Sequence, residues 1–212
     1  MSLSTQQQYA QLVVGIERQT QQLREQRGGP PCPSDCFQCC RNTATMAISA
    51  IEAQDLKIGL QKLPHEVQAH ILKKAKRTIQ HLEGLGYSAK DLIAENVSQA
   101  NALLEIAKNG MEATNALKGS PSAECPMPVG GVCAVYEHRP VICRVWGYPI
   151  NNGQELACCY KTFIGERRRF EPIDYAHLWR ECRDLSEKTG MTQKPPNCYL
   201  VVRLLTESEV RV

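Results

Sequence analysis

Cysteine is the residue type in this chain that could do chemistry, and it is concentrated in two short blocks. The chain has 11 cysteines in 212 residues, and most of them lie in residues 32–40 and 125–159. Thiolate sulfur is a soft ligand for zinc and for iron–sulfur clusters, and several sulfurs must converge to fill a coordination shell. The spacing therefore predicts that the fold brings the two blocks together around metal. The candidate ligands are Cys32, Cys36, Cys39, Cys40, Cys125, Cys133, Cys143, Cys158 and Cys159.

The spacing within the blocks leaves the nature of the centre open. Cys36 and Cys39 form the strongest local unit, because a two-residue spacer lets a tight turn aim both sulfurs at one metal. The adjacent cysteines at 39/40 and 158/159 cannot both reach one metal easily. Since one tetrahedral zinc site uses only four ligands, two sites or a cluster would account for more of the candidates. Cys182 and Cys198 lie outside the blocks and are interpreted as buried packing cysteines.

Charged side chains lie within the second block, where Arg139 and Arg144 flank Pro140 and Cys143. Arg139 and Arg144 could offset the negative charge of thiolate ligands and orient their sulfurs. The alternative is an ordinary salt bridge with Glu137 or Glu155. His138 could be a ligand or could simply be packed, because a lone histidine does not identify a metal site.

The two blocks also resemble a known family. Residues 32–41 read C-x3-C-x2-C-C-R, and residues 125–144 read C-x7-C-x2-Y-x2-R-P-x2-C-R. These motifs resemble the YkgJ-type cysteine-cluster proteins, which are described as a zinc- or iron-chelating domain with a CxxCxxCC motif. The first spacer has three residues here where the family motif has two. The resemblance implies metal binding through these cysteines and no single reaction, since some relatives look like methylase-associated iron–sulfur proteins.

Composition excludes several other classes of protein. The net charge of +3 is too small for the strongly basic face of a typical nucleic-acid binder. The apolar runs are too short to span a bilayer, and the amino terminus does not resemble a secretory signal. These features predict a cytoplasmic protein that binds neither nucleic acid nor membrane. In a reducing compartment, clustered cysteines favour metal or redox chemistry over structural disulfides.

Hydrophobic periodicity indicates the elements that must position the cysteines. Residues 28–31 should end the first helix, whose apolar stripe is interpreted as a packing face in preference to a partner-binding face. The long helices on either side of residues 84–86 should lie antiparallel. The predicted helices cover residues 3–26, 49–62, 64–82, 89–117 and 173–188. Residues 43–48 are a strand candidate, and residues 199–205 form either a strand or a last helical turn.

Together these patterns predict a mainly α fold, in which a helical bundle or hairpin packs on a loop-rich, cysteine-ligated metal-binding region with at most short strands. The expected organisation is an amphipathic helix at 1–28, followed by a cysteine-cluster domain at 29–212 with a helical insertion at about 64–118. The expected function is to hold zinc or an iron–sulfur cluster as a redox, modification or maturation accessory that works with a protein partner. A structural zinc module for protein–protein interaction and a cluster-dependent enzyme, methylase-like or redox, are the alternatives.

Overall fold

The computed structural model describes residues 3–32, 39–40, 48–84, 124–159, 161–163 and 165–189. Of these residues, 61% are helical and 8% lie in strands, which confirms the prediction of a mainly α fold. Several predictions concern residues outside these ranges: the helix at 89–117, the segment 199–205 and nearly all of the strand candidate at 43–48. Two cysteines, Cys36 and Cys198, also lie outside the described residues.

Five helices and five two-residue strands form the regular structure of these residues. The helices are α1 (Thr5–Arg27), α2 (Ala50–Gln61), α3 (His65–Gly84), α4 (Val141–Val145) and α5 (Tyr175–Lys188). The strands are β1 (Pro128–Val129), β2 (Val132–Cys133), β3 (Ile150–Asn151), β4 (Leu156–Ala157) and β5 (Ile173–Asp174). Short 3₁₀ turns occur at Tyr136–His138 and Arg167–Arg169.

The chain divides into two compact units, and it crosses from one to the other inside each cysteine block. The described part of the first unit combines residues 3–32 with residues 139–189, and that of the second unit combines 39–40, 48–84 and 124–138. These units differ from the two segments expected from the sequence, because α1 belongs to the same unit as residues 139–189. The reason lies in the contacts of α1, which packs against both α4 and α5.

Helix α1 is set by strong local signals at both ends. The Ser4 hydroxyl accepts a hydrogen bond from the Gln7 amide, and the Gln7 side chain accepts one from the Ser4 amide, as in a capping box. Gly28 ends the helix with φ of 80°, a conformation that glycine adopts without steric cost. Tyr9 and Ile16 are buried on its inner face, so the packing interpretation of the stripe is confirmed.

A three-stranded sheet in the first unit leads into α5. Central strand β3 pairs antiparallel with β4 and parallel with β5, with Ile150 opposite Ala157 and Ile173. The Asp174 carboxylate then accepts a hydrogen bond from the His177 amide at 2.9 Å and caps α5. The helix predicted at 173–188 therefore begins two residues later, because Ile173 and Asp174 are paired in the sheet.

The second unit is built around α2 and α3. The Ser49 and Glu52 capping box predicted from the sequence is present at the start of α2. Pro64 precedes α3, and the β1–β2 hairpin turns through Gly130 and Gly131, which both have positive φ. The apolar core of the unit consists of Ile48, Ala53, Leu56, Leu60, Ile71, Ala75, Cys125, Met127 and Val135.

None of the helices in the described ranges is both long enough and apolar enough to cross a membrane.

Candidate metal centre

The two cysteine blocks meet in the second unit. The Cys125 amide donates a hydrogen bond to the Cys40 carbonyl oxygen at 2.6 Å. Cys125 is buried in the apolar core, and Cys40 and Cys133 are partly buried against the same core. The hairpin places Cys133 opposite Pro128 and so returns it towards Cys125. Cys39, next to Cys40, is exposed.

In the first unit, Cys32 of the first block packs against Gly147 of the second block. A Cβ atom built on Gly147 would lie 3.2 Å from the Cys32 sulfur, and Gly147 has φ of +117°. Both the close approach and the backbone conformation therefore favour glycine at this position. The neighbouring Tyr148 hydroxyl accepts a hydrogen bond from Arg24 Nε at 2.7 Å. Burial raises the pKa of the Tyr148 phenol, and the Arg24 hydrogen bond only partly opposes this, so the phenol stays protonated at neutral pH.

Arg144 and Arg139 share the carboxylate of Glu17 on α1. Arg144 Nη1 lies 2.8 Å from Glu17 Oε1, and its Nε donates to the Arg139 carbonyl oxygen at 2.9 Å. Arg139 Nη2 lies farther from the same carboxylate oxygen, at 3.8 Å. This carboxylate was not among the partners expected from the sequence.

Replacing Arg144 by lysine should destabilise the protein more than replacing Arg139 by lysine. The Arg144 side chain is 3% exposed, whereas that of Arg139 is 16% exposed and farther from Glu17. Lysine cannot reproduce two fixed guanidinium bonds, so the expected loss for Arg144→Lys is about 1–3 kcal/mol of unfolding free energy. Urea unfolding of both variants checks this. Equal losses for the two would show that the Glu17 pair contributes little.

Cys158 is engaged as a hydrogen-bond donor within its own turn. Its sulfur donates to the carbonyl oxygens of Cys159 at 3.2 Å and of Thr162 at 3.3 Å. The turn continues into Phe163, which has φ of 50° and packs its ring edge-to-face on Phe170 at 5.0 Å. These contacts hold the Cys158 side chain within its own turn.

His138 lies against α2, and Cys182 is buried on α5. The His138 Nδ1 atom lies 3.2 Å from an Asp55 carboxylate oxygen, but the geometry does not meet the criteria for a hydrogen bond. The Nε2 atom of the same ring lies 3.3 Å from Lys62 Nζ. The ring lies directly over Gly59 of α2. Cys182 is fully buried on α5, in agreement with its interpretation as a packing cysteine. Sequence reasoning missed the role of Gly59, although an isolated glycine inside a helical pattern is a signal of close packing.

The described residues do not form a complete metal site on their own. The described candidate ligands are divided between the two units. The second unit contains Cys39, Cys40, Cys125 and Cys133, and the first contains Cys32, Cys143, Cys158 and Cys159. Across the ranges that the structure describes, no three His, Cys, Asp or Glu side chains converge closely enough to hold a metal ion. Cys36, a member of the strongest sequence pair, is outside those ranges. The donor types suit a thiophilic metal, but their convergence is not present in the described part of the chain.

Comparison with known proteins gives no relative. No family model, no curated protein and no solved structure matches this chain. The resemblance to the YkgJ-type family thus rests on the motif residues alone and stays an expectation.

Proposed function

We propose that this chain is a metal-binding protein that holds zinc or an iron–sulfur cluster through the cysteines of its two blocks, and that it serves as a redox, modification or maturation accessory. The observation that supports this most directly is the hydrogen bond from the Cys125 amide to the Cys40 carbonyl. It places cysteines that are more than 80 residues apart in the chain next to each other, as a shared centre requires.

The exposure of two cysteines also supports a chemical role. A cysteine kept only for packing behaves as a small hydrophobic residue and is buried, as Cys182 is. Cys39 and Cys143 are exposed instead, so packing does not account for them.

Metal binding in such a protein would be coupled to folding. No three donors converge within the described ranges, so a metal would need Cys36 as a further ligand or a rearrangement of the sulfurs to complete its coordination. Binding free energy then becomes folding free energy. A closed zinc site supplies stability alone, whereas an iron–sulfur cluster also supplies electron transfer.

A structural zinc module for protein–protein interaction is the second candidate. It is favoured by the position of Cys40 and Cys133 against the apolar core of the second unit. A metal held there would fix the β1–β2 hairpin to the residues around Cys40. Such a role needs four closed ligands and no open coordination position.

The deciding experiment measures iron, zinc and acid-labile sulfide, together with an absorbance spectrum, on protein purified without oxygen. Iron with an equivalent amount of sulfide and visible absorbance is the result expected for the redox or maturation role. Colourless protein with zinc and no sulfide would support the structural module instead. Protein without any bound metal, and unable to take up either metal after reduction, would contradict the proposal.

A further inference from the structure

One face of α3 carries three exposed cationic side chains within a single helical turn. Lys73, Lys76 and Arg77 are all exposed, and they lie near the middle of this 20-residue helix. Residues three and four apart are neighbours on a helix surface, so Lys73 adjoins both of the others. The opposite side of the helix packs Ile71 and Ala75 into the apolar core. We refer to Lys73, Lys76 and Arg77 as the basic face.

The charges of the basic face are not balanced within the described structure. No aspartate or glutamate stands three or four residues from any of the three cations in the sequence. Nor do the described residues give any of them an ion-pair partner. The fourth cation of the run, Lys74, points away and donates to the Pro128 carbonyl oxygen at 2.9 Å. Like charges three and four residues apart destabilise a helix.

Helix α5 shows that the same chain balances charge elsewhere. There Arg183 lies 2.9 Å from the Asp184 carboxylate and 3.8 Å from that of Glu187. His177 lies 3.7 Å from Glu181 on the next turn. A solvent-facing helix of this protein thus alternates its charges, whereas the centre of α3 keeps charges of one sign. Within the described residues, the centre of α3 therefore presents cations without carboxylates.

We propose that the basic face is a docking surface for an acidic helical segment of a protein partner, with carboxylates spaced one helical turn apart. Lys73 lies one helical turn from Lys76 and Arg77, so two carboxylates one turn apart on a facing helix match the basic face. A nucleic acid fits less well, since binders of nucleic acid spread positive charge over a larger surface and single-strand binders add aromatic rings for stacking. The exposed positions of α3 carry no phenylalanine, tyrosine or tryptophan. This inference goes beyond metal binding and does not depend on it.

The test uses two synthetic helical peptides of identical composition, one with its glutamates along a single face and one with them distributed around the helix. Binding of the intact protein is measured by fluorescence anisotropy at low and at near-physiological salt. The test variant is Lys73→Gln/Lys76→Gln/Arg77→Gln. The matched control, Arg168→Gln/Arg169→Gln/Arg180→Gln, removes the same charge from exposed positions in the first unit. Circular dichroism melting verifies that both variants stay folded.

The wild type should prefer the single-face peptide, and the test variant should lose about tenfold in affinity for it, since each exposed ion pair contributes a few-fold. The control variant should bind as the wild type does. Equal losses in both variants would overturn the proposal, as would equal binding of the two peptides. Tighter binding of a single-stranded RNA of matched charge than of the single-face peptide would overturn it in favour of a nucleic-acid surface.

Discussion

Replacing Cys39 or Cys143 by serine is expected to remove bound metal and to lower the melting temperature by about 10 °C, because ligand loss removes binding energy that is also folding energy. Both side chains are exposed, so substitution by serine has little packing cost of its own. Metal analysis and thermal melting of the purified variants, side by side with wild type, measure the two effects.

The same two variants distinguish one centre from two. Cys39 belongs to the second unit and Cys143 to the first. If all ligands serve one centre, each variant should lose all of the metal. If each unit holds its own, each variant should lose about half. The control is Cys182→Ala, which removes a buried sulfur on α5 and should keep the full metal content. Retention of full metal and unchanged melting in both serine variants would mean that the ligand assignment is wrong.

The second large effect is expected at Gly59. A Cβ at this position would lie 2.7 Å from His138 Cδ2 and 2.8 Å from both Cβ and Cγ of that residue. These atoms belong to the inner part of the side chain, so they cannot move away without shifting the backbone. Alanine normally stabilises a helix interior relative to glycine by about 1 kcal/mol. Here overpacking should reverse the sign, with a loss of about 1–3 kcal/mol for Gly59→Ala.

The matched control for this prediction is Gly15→Ala in α1. Nothing lies within 4 Å of a Cβ built on Gly15, so alanine there should stabilise by up to about 1 kcal/mol. In a His138→Ala background the loss from Gly59→Ala should shrink, because two of the three contacting atoms are gone. Chemical unfolding of the four variants measures both effects. Stabilisation by Gly59→Ala as large as that by Gly15→Ala would refute the close contact.

The parts of the fold that were predicted correctly depend on signals a few residues apart. The capping box of Ser49 with Glu52 and the glycine at position 28 fix helix ends through contacts within one turn. The helix predicted at 173–188 was two residues too long at its start, because Ile173 pairs with Ile150 in a sheet that periodicity does not reveal. Local pattern therefore located the helices, and strand pairing corrected one boundary.

The features of the candidate site that were missed depend on contacts far apart in sequence. Glu17 meets Arg144 across 127 positions, and nothing in the spacing of either residue selects the other. The contact of Gly59 with His138 joins α2 to the 3₁₀ turn at Tyr136–His138, which is far away in the sequence. The motif spacing indicated the candidate cysteines, but it could not show that Cys158 donates to its own turn. Whether a thiol is a ligand or a donor depends on side-chain direction, which spacing does not encode.

The division of the first unit also has a consequence for how the protein is made. Helix α1 leaves the ribosome long before α4 and α5, the helices against which it packs. At about 5–20 residues per second, the roughly 110 intervening residues take on the order of 5–20 seconds to synthesise. During that interval the stripe that includes Tyr9, Ile16 and Leu23 lacks its contacts with α4 and α5. A chain released before α5 is complete lacks the α5 contacts of that stripe.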